Sequence, residues 1–142
     1  MSRRVEIRAE SFPLARPFAI SRGVKTAADV VVVEITEGDV KGWAECVPYP
    51  RYDETVEGVI ADIEKVRAAL EDGADTTAIN EIMRAGAARN AVDCALWDFY
   101  AKRDGISVAE TAGLAPLKSE ITAETIGMGT PDEMGARAAE LS

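Results

Sequence analysis

Histidine is missing from this chain of 142 residues, and only two cysteines are present. Without histidine, these residues cannot form a Ser-His-Asp triad or a Cys-His pair. Cys46 and Cys94 lie in apolar segments, so we expect two buried free thiols rather than a disulfide or a metal site. A general base within these residues must therefore be a lysine, an acid or a tyrosine.

Basic residues and long apolar runs are also scarce. The chain has 16 Lys and Arg against 25 Asp and Glu, a net charge of −9. Nucleic acid is not an expected partner, because neutralising phosphates requires clustered Lys and Arg. No apolar run is long enough to span a bilayer. The first residues carry two arginines without an apolar signal core behind them, so we expect a cytoplasmic protein and no membrane partner.

The first 46 residues contain three strand patterns. Residues 5–12 alternate apolar and charged side chains and predict a half-buried strand that Pro13 and Pro17 interrupt. Residues 29–35 are rich in valine and predict a strand buried on both faces. A turn at Gly38 leads into a third strand over residues 40–46. The pattern predicts an antiparallel meander.

Helical periodicity follows the strands. Residues 56–70 place apolar side chains at helical spacing, and Gly73 ends the run. We expect further helices over residues 76–83, 85–102 and 108–111. Strands followed by helices are typical of an α+β domain, which we assign to residues 1–118.

The last part of the chain has a strand pattern followed by a helix pattern. Residues 121–128 predict a strand, and Thr130 with Pro131 predicts the start of a helix that is still running at Ser142. One strand-helix unit cannot close a sheet. We therefore expect residues 119–142 to be the truncated start of a larger α/β domain.

Two segments carry a resemblance to a known family. GWAECVPYPRY at residues 42–52 and AARNAVDCALWD at residues 87–98 resemble the muconate-lactonizing subgroup of the enolase superfamily. The loop at residues 48–52 and the ISRG loop at residues 20–23 resemble those of the L-Ala-D/L-Glu dipeptide epimerases. The resemblance implies a capping domain of three antiparallel strands and a helix bundle, followed by a catalytic TIM barrel.

The resemblance also implies an isomerase chemistry. Enzymes of this kind remove the proton α to a carbonyl, and Mg²⁺ stabilises the enolate while two lysines exchange the proton. The lysines and acidic metal ligands of the family cannot be placed in these residues. The sequence thus predicts no catalytic residue and no metal ligand here, a Mg-dependent parent enzyme, and no activity for the chain alone.

Five residues are candidates for contact with a small dipeptide substrate. By resemblance, Arg22 meets the glutamyl side-chain carboxylate, a role that suits a guanidinium fork. Ile20 would pack beside it, Thr125 would face the substrate, and Tyr49 and Tyr52 would form a second loop over it. Each of these residues would also be ordinary in a turn, a strand or a packed loop.

Two alternatives stay open at this point. The parent protein could be another member of the subgroup, such as a cycloisomerase, an o-succinylbenzoate synthase or an N-acylamino acid racemase. It could also be a non-catalytic α+β binding or assembly module. The strand edge and apolar helix face after residue 118 would then need a cover, so a homo-oligomer is among the expected states.

Overall fold

A computed structural model describes residues 3–142. Its strands and helices are β1 Arg4–Ile20, β2 Gly23–Glu37, β3 Val40–Cys46, a 3-10 turn Pro50–Tyr52, α1 Val56–Glu64, α2 Arg67–Glu71, α3 Thr76–Ile82, α4 Ala87–Asp104, α5 Val108–Thr111 and α6 Pro131–Leu141. The chain divides into two compact units. We call residues 3–10 with 29–117 the helical unit, and residues 11–28 with 118–142 the hairpin-tip unit.

The three strands form one sheet in the order β1-β2-β3. Ser21 and Arg22 alone connect β1 to β2, and a connection that short joins antiparallel neighbours. Strands β2 and β3 are antiparallel, with Val33 opposite Ala44. The predicted antiparallel meander and the turn at Gly38 are confirmed.

Strand β1 is much longer than the sequence pattern indicated. It continues through Pro13 and Pro17 to Ile20, so the prediction that these prolines interrupt the strand is wrong. The reason lies in the strand order, because β1 is at the edge of the sheet. On an edge strand, the backbone nitrogen of a proline can face solvent, so its missing N–H removes no hydrogen bond from the sheet.

The core of the helical unit lies between the sheet and the helices. Residues 30–33 of β2 are all buried, as predicted for a strand covered on both faces. Helix α4 packs on β3, and a Cβ added at Gly42 would lie 2.4 Å from the Cβ atom of Phe99. The guanidinium of Arg3 is buried over the Phe99 ring and donates to the carbonyl oxygen of Ala74 at 3.0 Å.

The first predicted helix is divided in two. Lys65 and Val66 separate α1 from α2, and the Val66 N–H donates to the carbonyl of Ile63 at 3.1 Å, a tightened 3-10 turn. Gly73 has a φ of +101°, in keeping with the predicted end of this region. The helices over residues 76–83, 85–102 and 108–111 are present as α3, α4 and α5, with ends shifted by at most two residues.

The end of the hairpin-tip unit confirms one prediction and corrects another. Helix α6 begins at Pro131, and Thr130 and Glu133 form a reciprocal capping box. Residues 121–128 are not a strand, because a strand requires a hydrogen-bonded neighbour along its length. Met128 N–H donates to the Ala19 carbonyl at 2.8 Å. The domain boundary after residue 118 stays a prediction.

Within residues 3–142, no helix is both long and apolar enough to cross a membrane. One of the two cysteines departs from the expected burial. Cys46 is buried, as predicted, but Cys94 is exposed, because α4 turns it away from the sheet. Burial raises the pKa of the Cys46 thiol to about 11.

Candidate functional site

Arg22 lies in the two-residue turn at the tip of the β1-β2 hairpin and is exposed to solvent. The next residue, Gly23, has a φ of +147°, a conformation that glycine adopts without strain. Among the hydrogen bonds and ion pairs of residues 3–142, none involves the Arg22 side chain. The turn thus presents an uncompensated guanidinium on a chain whose net charge is negative.

Two other candidate residues belong to the same hairpin-tip unit. Ile20 is the last residue of β1 and is half-buried, while Thr125 is exposed. Thr125 lines a cleft of about 450 Å³ together with Phe18 and Met128. The backbone bond from Met128 to Ala19 fixes this segment beside the end of β1.

The charged groups that line this cleft differ in their pairing: Glu124, Glu133 and Arg137 have partners, whereas Arg16 forms no hydrogen bond or ion pair among the described residues. Arg137 lines it and forms ion pairs with Glu124 and Glu140, the latter at 2.8 Å. Hydrogen bonding to these carboxylates, Glu140 first, raises the pKa of the Arg137 guanidinium above its ordinary value. Arg137 is therefore committed to its own helix and neighbouring segment, in contrast to Arg22.

Tyr49 and Tyr52 belong to the helical unit, in the loop between β3 and α1. Their ring centroids are 5.9 Å apart with the planes inclined at 44°. Tyr52 is 66% exposed, whereas Tyr49 is half-buried. The 3-10 turn between them and the left-handed Asp53, at φ +57°, give this loop one defined backbone path.

Sequence reasoning missed Glu54, which follows this loop. Its carboxylate accepts hydrogen bonds from the backbone N–H of Tyr49 at 3.1 Å and of Ala87 at 2.7 Å. A signal for it was present in the sequence. Helix α4 begins after Gly86, which has no side chain to cap the helix, so a capping acid had to come from elsewhere.

The described residues do not fit a magnesium site. Within residues 3–142, no group of three or more His, Cys, Asp or Glu side chains converges as metal ligands would. Asp98, on α4, instead accepts from the backbone N–H of Trp43 at 2.9 Å and from the Lys102 ammonium at 2.6 Å. No reaction step can therefore be assigned to a metal on these residues.

The chemistry available at the candidate residues is recognition. A guanidinium stays protonated at any physiological pH, so Arg22 can bind a carboxylate but cannot remove a proton from carbon. Ile20 offers an apolar contact, and Thr125 offers a hydroxyl donor or acceptor. The hairpin tip therefore has the groups of a binding surface.

Comparison with known proteins reveals one family. The N-terminal domain of mandelate racemase / muconate lactonizing enzyme matches residues 2–113. The L-Ala-D/L-Glu epimerase of Escherichia coli K12 is 46% identical over 139 residues, which are 98% of this chain and 43% of that protein. The resemblance carried by residues 42–52 and 87–98 is thereby confirmed.

Two solved structures share the fold. An enolase family member from Agrobacterium tumefaciens, with homology to dipeptide epimerases and with sodium and L-Ala-L-Glu bound, is 46% identical with a TM-score of 0.91. The match covers 97% of this chain and 42% of that one. A dipeptide epimerase from Methylococcus capsulatus, in complex with Mg and L-Arg-D-Lys, is 30% identical with a TM-score of 0.82, over 99% and 42% of the two chains.

Proposed function

The chain belongs to the mandelate racemase / muconate lactonizing enzyme family by its N-terminal domain, and on that basis we propose that it is the substrate-capping part of a dipeptide epimerase. The chain spans 43% of the Escherichia coli relative, so the activity belongs to a longer parent protein. The proposed substrates are small dipeptides, with the pair L-Ala-L-Glu and L-Ala-D-Glu in first place.

The observation that carries this proposal is the exposed, unpaired Arg22 at the hairpin tip. A guanidinium fork matches the geometry of a carboxylate and keeps its charge throughout the physiological range. Ile20 and Thr125, in the same compact unit, would contact the remainder of the dipeptide. Tyr49 and Tyr52 would form a second, aromatic contact surface.

Proton transfer and metal binding are proposed to lie outside residues 3–142. Dipeptide epimerase relatives have been solved with Mg, and a divalent cation stabilises the negative charge that develops when an α-proton leaves. The described residues provide neither a ligand cluster nor a histidine. The 142-residue chain alone is therefore proposed to be inactive.

The experiment measures α-proton exchange by the full-length protein. L-Ala-L-Glu and its neutral isostere L-Ala-L-Gln are incubated with Mg²⁺ in D₂O, and deuterium uptake at the α-carbons is followed by NMR. Removing a hydrogen bond to a charged group costs a factor on the order of 10 to 150. We expect Arg22→Ala to lower kcat/KM for L-Ala-L-Glu by that factor and to affect L-Ala-L-Gln much less.

Arg84→Ala is the matched control, since Arg84 is another exposed arginine without an ion pair among the described residues. It should leave both substrates unchanged. Loss of L-Ala-L-Glu turnover in both variants, or in neither, would contradict the role of Arg22. If the wild-type protein turns over no dipeptide but accepts an N-acylamino acid or a lactone, another member of the family is indicated.

Location and assembly are part of the proposal. We propose a cytoplasmic location for the parent protein. A homo-oligomer of the 142-residue chain is supported by exposed apolar side chains such as Ile121, which is fully exposed. Cell fractionation of the full-length protein and light scattering of the 142-residue chain test these two points.

A further inference from the structure

The carboxylate of Glu54 joins two segments of the helical unit that are 33 residues apart in the sequence. One oxygen, Oε1, accepts from Ala87 N–H at 2.7 Å, and the other, Oε2, accepts from Tyr49 N–H at 3.1 Å. In the part of the chain that the structure describes, no lysine or arginine forms an ion pair with Glu54. Backbone amides therefore take the place of a cation at this half-buried carboxylate.

One end of this bridge is the N-terminus of α4. The N-cap residue, Gly86, makes no side-chain cap, so the first-turn amides of an 18-residue helix depend on an outside acceptor. A negative charge is favoured there by the helix dipole. Gly86 also leaves room for the acid, because a Cβ at this position would lie 2.9 Å from Oε1 of Glu54.

The other end of the bridge is the tyrosine loop, residues 49–52. Tyr52 N–H donates to the Tyr49 carbonyl at 2.8 Å, and Glu54 N–H donates to the same carbonyl at 3.4 Å. The loop is thus closed on itself through Tyr49. Its internal bonds set its shape, whereas its placement against α4 depends on the Glu54 carboxylate.

We propose that Glu54 is a positioning residue of the dipeptide site: it holds the tyrosine loop against the N-terminus of α4, so that Tyr49 and Tyr52 present one fixed surface to the substrate. This inference rests on the proposed function and extends it, because Glu54 acts only through the tyrosines. An anchored loop binds substrate without the entropy cost of ordering the loop on each encounter. Glu54 should therefore act on binding and leave the proton-transfer step intact.

The test compares Glu54→Gln with Glu81→Gln in the full-length enzyme. Glutamine keeps the size of Glu54 but replaces one accepting oxygen with an NH₂ group, so one of the two backbone amides loses its partner. Glu81 is an exposed acid on α3 without a described hydrogen bond. For Glu54→Gln we expect KM for L-Ala-L-Glu to rise about tenfold while kcat stays within about threefold. Glu81→Gln should change neither constant.

Amide hydrogen exchange supplies a readout that needs no substrate. Glu54→Gln should speed exchange at the amide of Tyr49 or of Ala87, whichever loses its acceptor, and leave the centre of α4 protected. Unchanged exchange at both amides, or faster exchange with unchanged KM, overturns the positioning role while the proposed function stands. An equal rise in KM for Glu81→Gln also overturns it, as a general charge effect. A wild-type enzyme that epimerises no dipeptide overturns both proposals.

Discussion

At the scale of single residues, Gly42 decides how closely β3 approaches α4. The position is buried, and its Cα faces the backbone of Phe99. The Trp43 N–H beside it donates to the Asp98 carboxylate on the same helix, at 2.9 Å. A strand and a helix can lie this close only where the strand has no side chain.

We predict that Gly42→Ala destabilises the fold strongly. The added Cβ would lie 2.4 Å from the Phe99 amide nitrogen and 2.5 Å from its Cα, so β3 and α4 would have to separate. Overpacking of this kind costs about 3 kcal/mol or more when backbone is the obstacle. Urea unfolding measures the loss. Gly135→Ala, in open space on α6, is the control and should be neutral or stabilising. Similar unfolding midpoints for the two variants would contradict this account.

The candidate site illustrates what a sequence can say about single residues. Arg22 is recognisable because its loop resembles that of a family, and the structure adds that it is exposed and unpaired. Gly86 indicates that α4 needs an outside acceptor but does not identify Glu54 as that acceptor, because the two partners of this acid are backbone amides, which every residue except proline carries. Interactions of a side chain with distant backbone leave no pattern of residue types to read.

At the scale of strands and helices, an ion network ties the three strands together. Glu34 on β2 accepts from the Arg8 guanidinium on β1 at 3.0 Å and from the Lys41 ammonium on β3 at 2.9 Å. The hydrogen bond from Lys41, followed by that from Arg8, holds the pKa of Glu34 below its ordinary value of 4.5. The network lies on the face of the sheet opposite the helices, where Trp43 is half exposed.

We predict a pH-dependent contribution from Glu34. Because its pKa is lower in the folded state, the ionised form stabilises the fold above pH 4.5, and this stabilisation is lost as the pH falls through the folded-state pKa. Glu34→Gln should therefore cost about 1 kcal/mol at pH 7, and the difference from wild type should shrink in acid. Chemical denaturation at a series of pH values measures it. Glu45→Gln, an exposed acid on β3, should show no such trend.

The strands and helices were predictable where local pattern and packing agree. The valines of residues 30–33 are buried on both faces of the sheet and the small residues of α4 face the core, as their sequence patterns indicated. The pattern failed where the sheet decides the outcome: β1 passes two prolines because it is an edge, and residues 121–128 lack a partner to pair with. Neither fact is contained in the local sequence.

At the scale of the whole molecule, the two units differ in how their backbone is held. The helical unit has a continuous apolar core and paired strands. Residues 118–127 of the hairpin-tip unit have no regular secondary structure, and Ile121 is fully exposed. A segment like this is expected to open readily unless further chain covers it.

We predict that hydrogen exchange will separate these regions. In the 142-residue chain, amides 119–127 should exchange with little protection, while those of β2 and α4 should be strongly protected. In the full-length parent protein, neighbouring barrel strands would pair with this segment and slow its exchange on the order of a hundredfold or more. Equal exchange of this segment in both proteins would contradict its assignment as the first barrel strand.

At the hairpin tip, two neighbouring residues have different roles: one shapes the backbone and the other is available for binding. Gly23 supplies the unusual backbone angle that closes the turn, while the Arg22 side chain is exposed and forms no hydrogen bond or ion pair among the described residues. A substitution at position 22 can therefore change which ligand the turn binds without destabilising the fold. Selection for a different substrate can thus act on position 22 alone, and in a directed-evolution library this position can be randomised while Gly23 is kept.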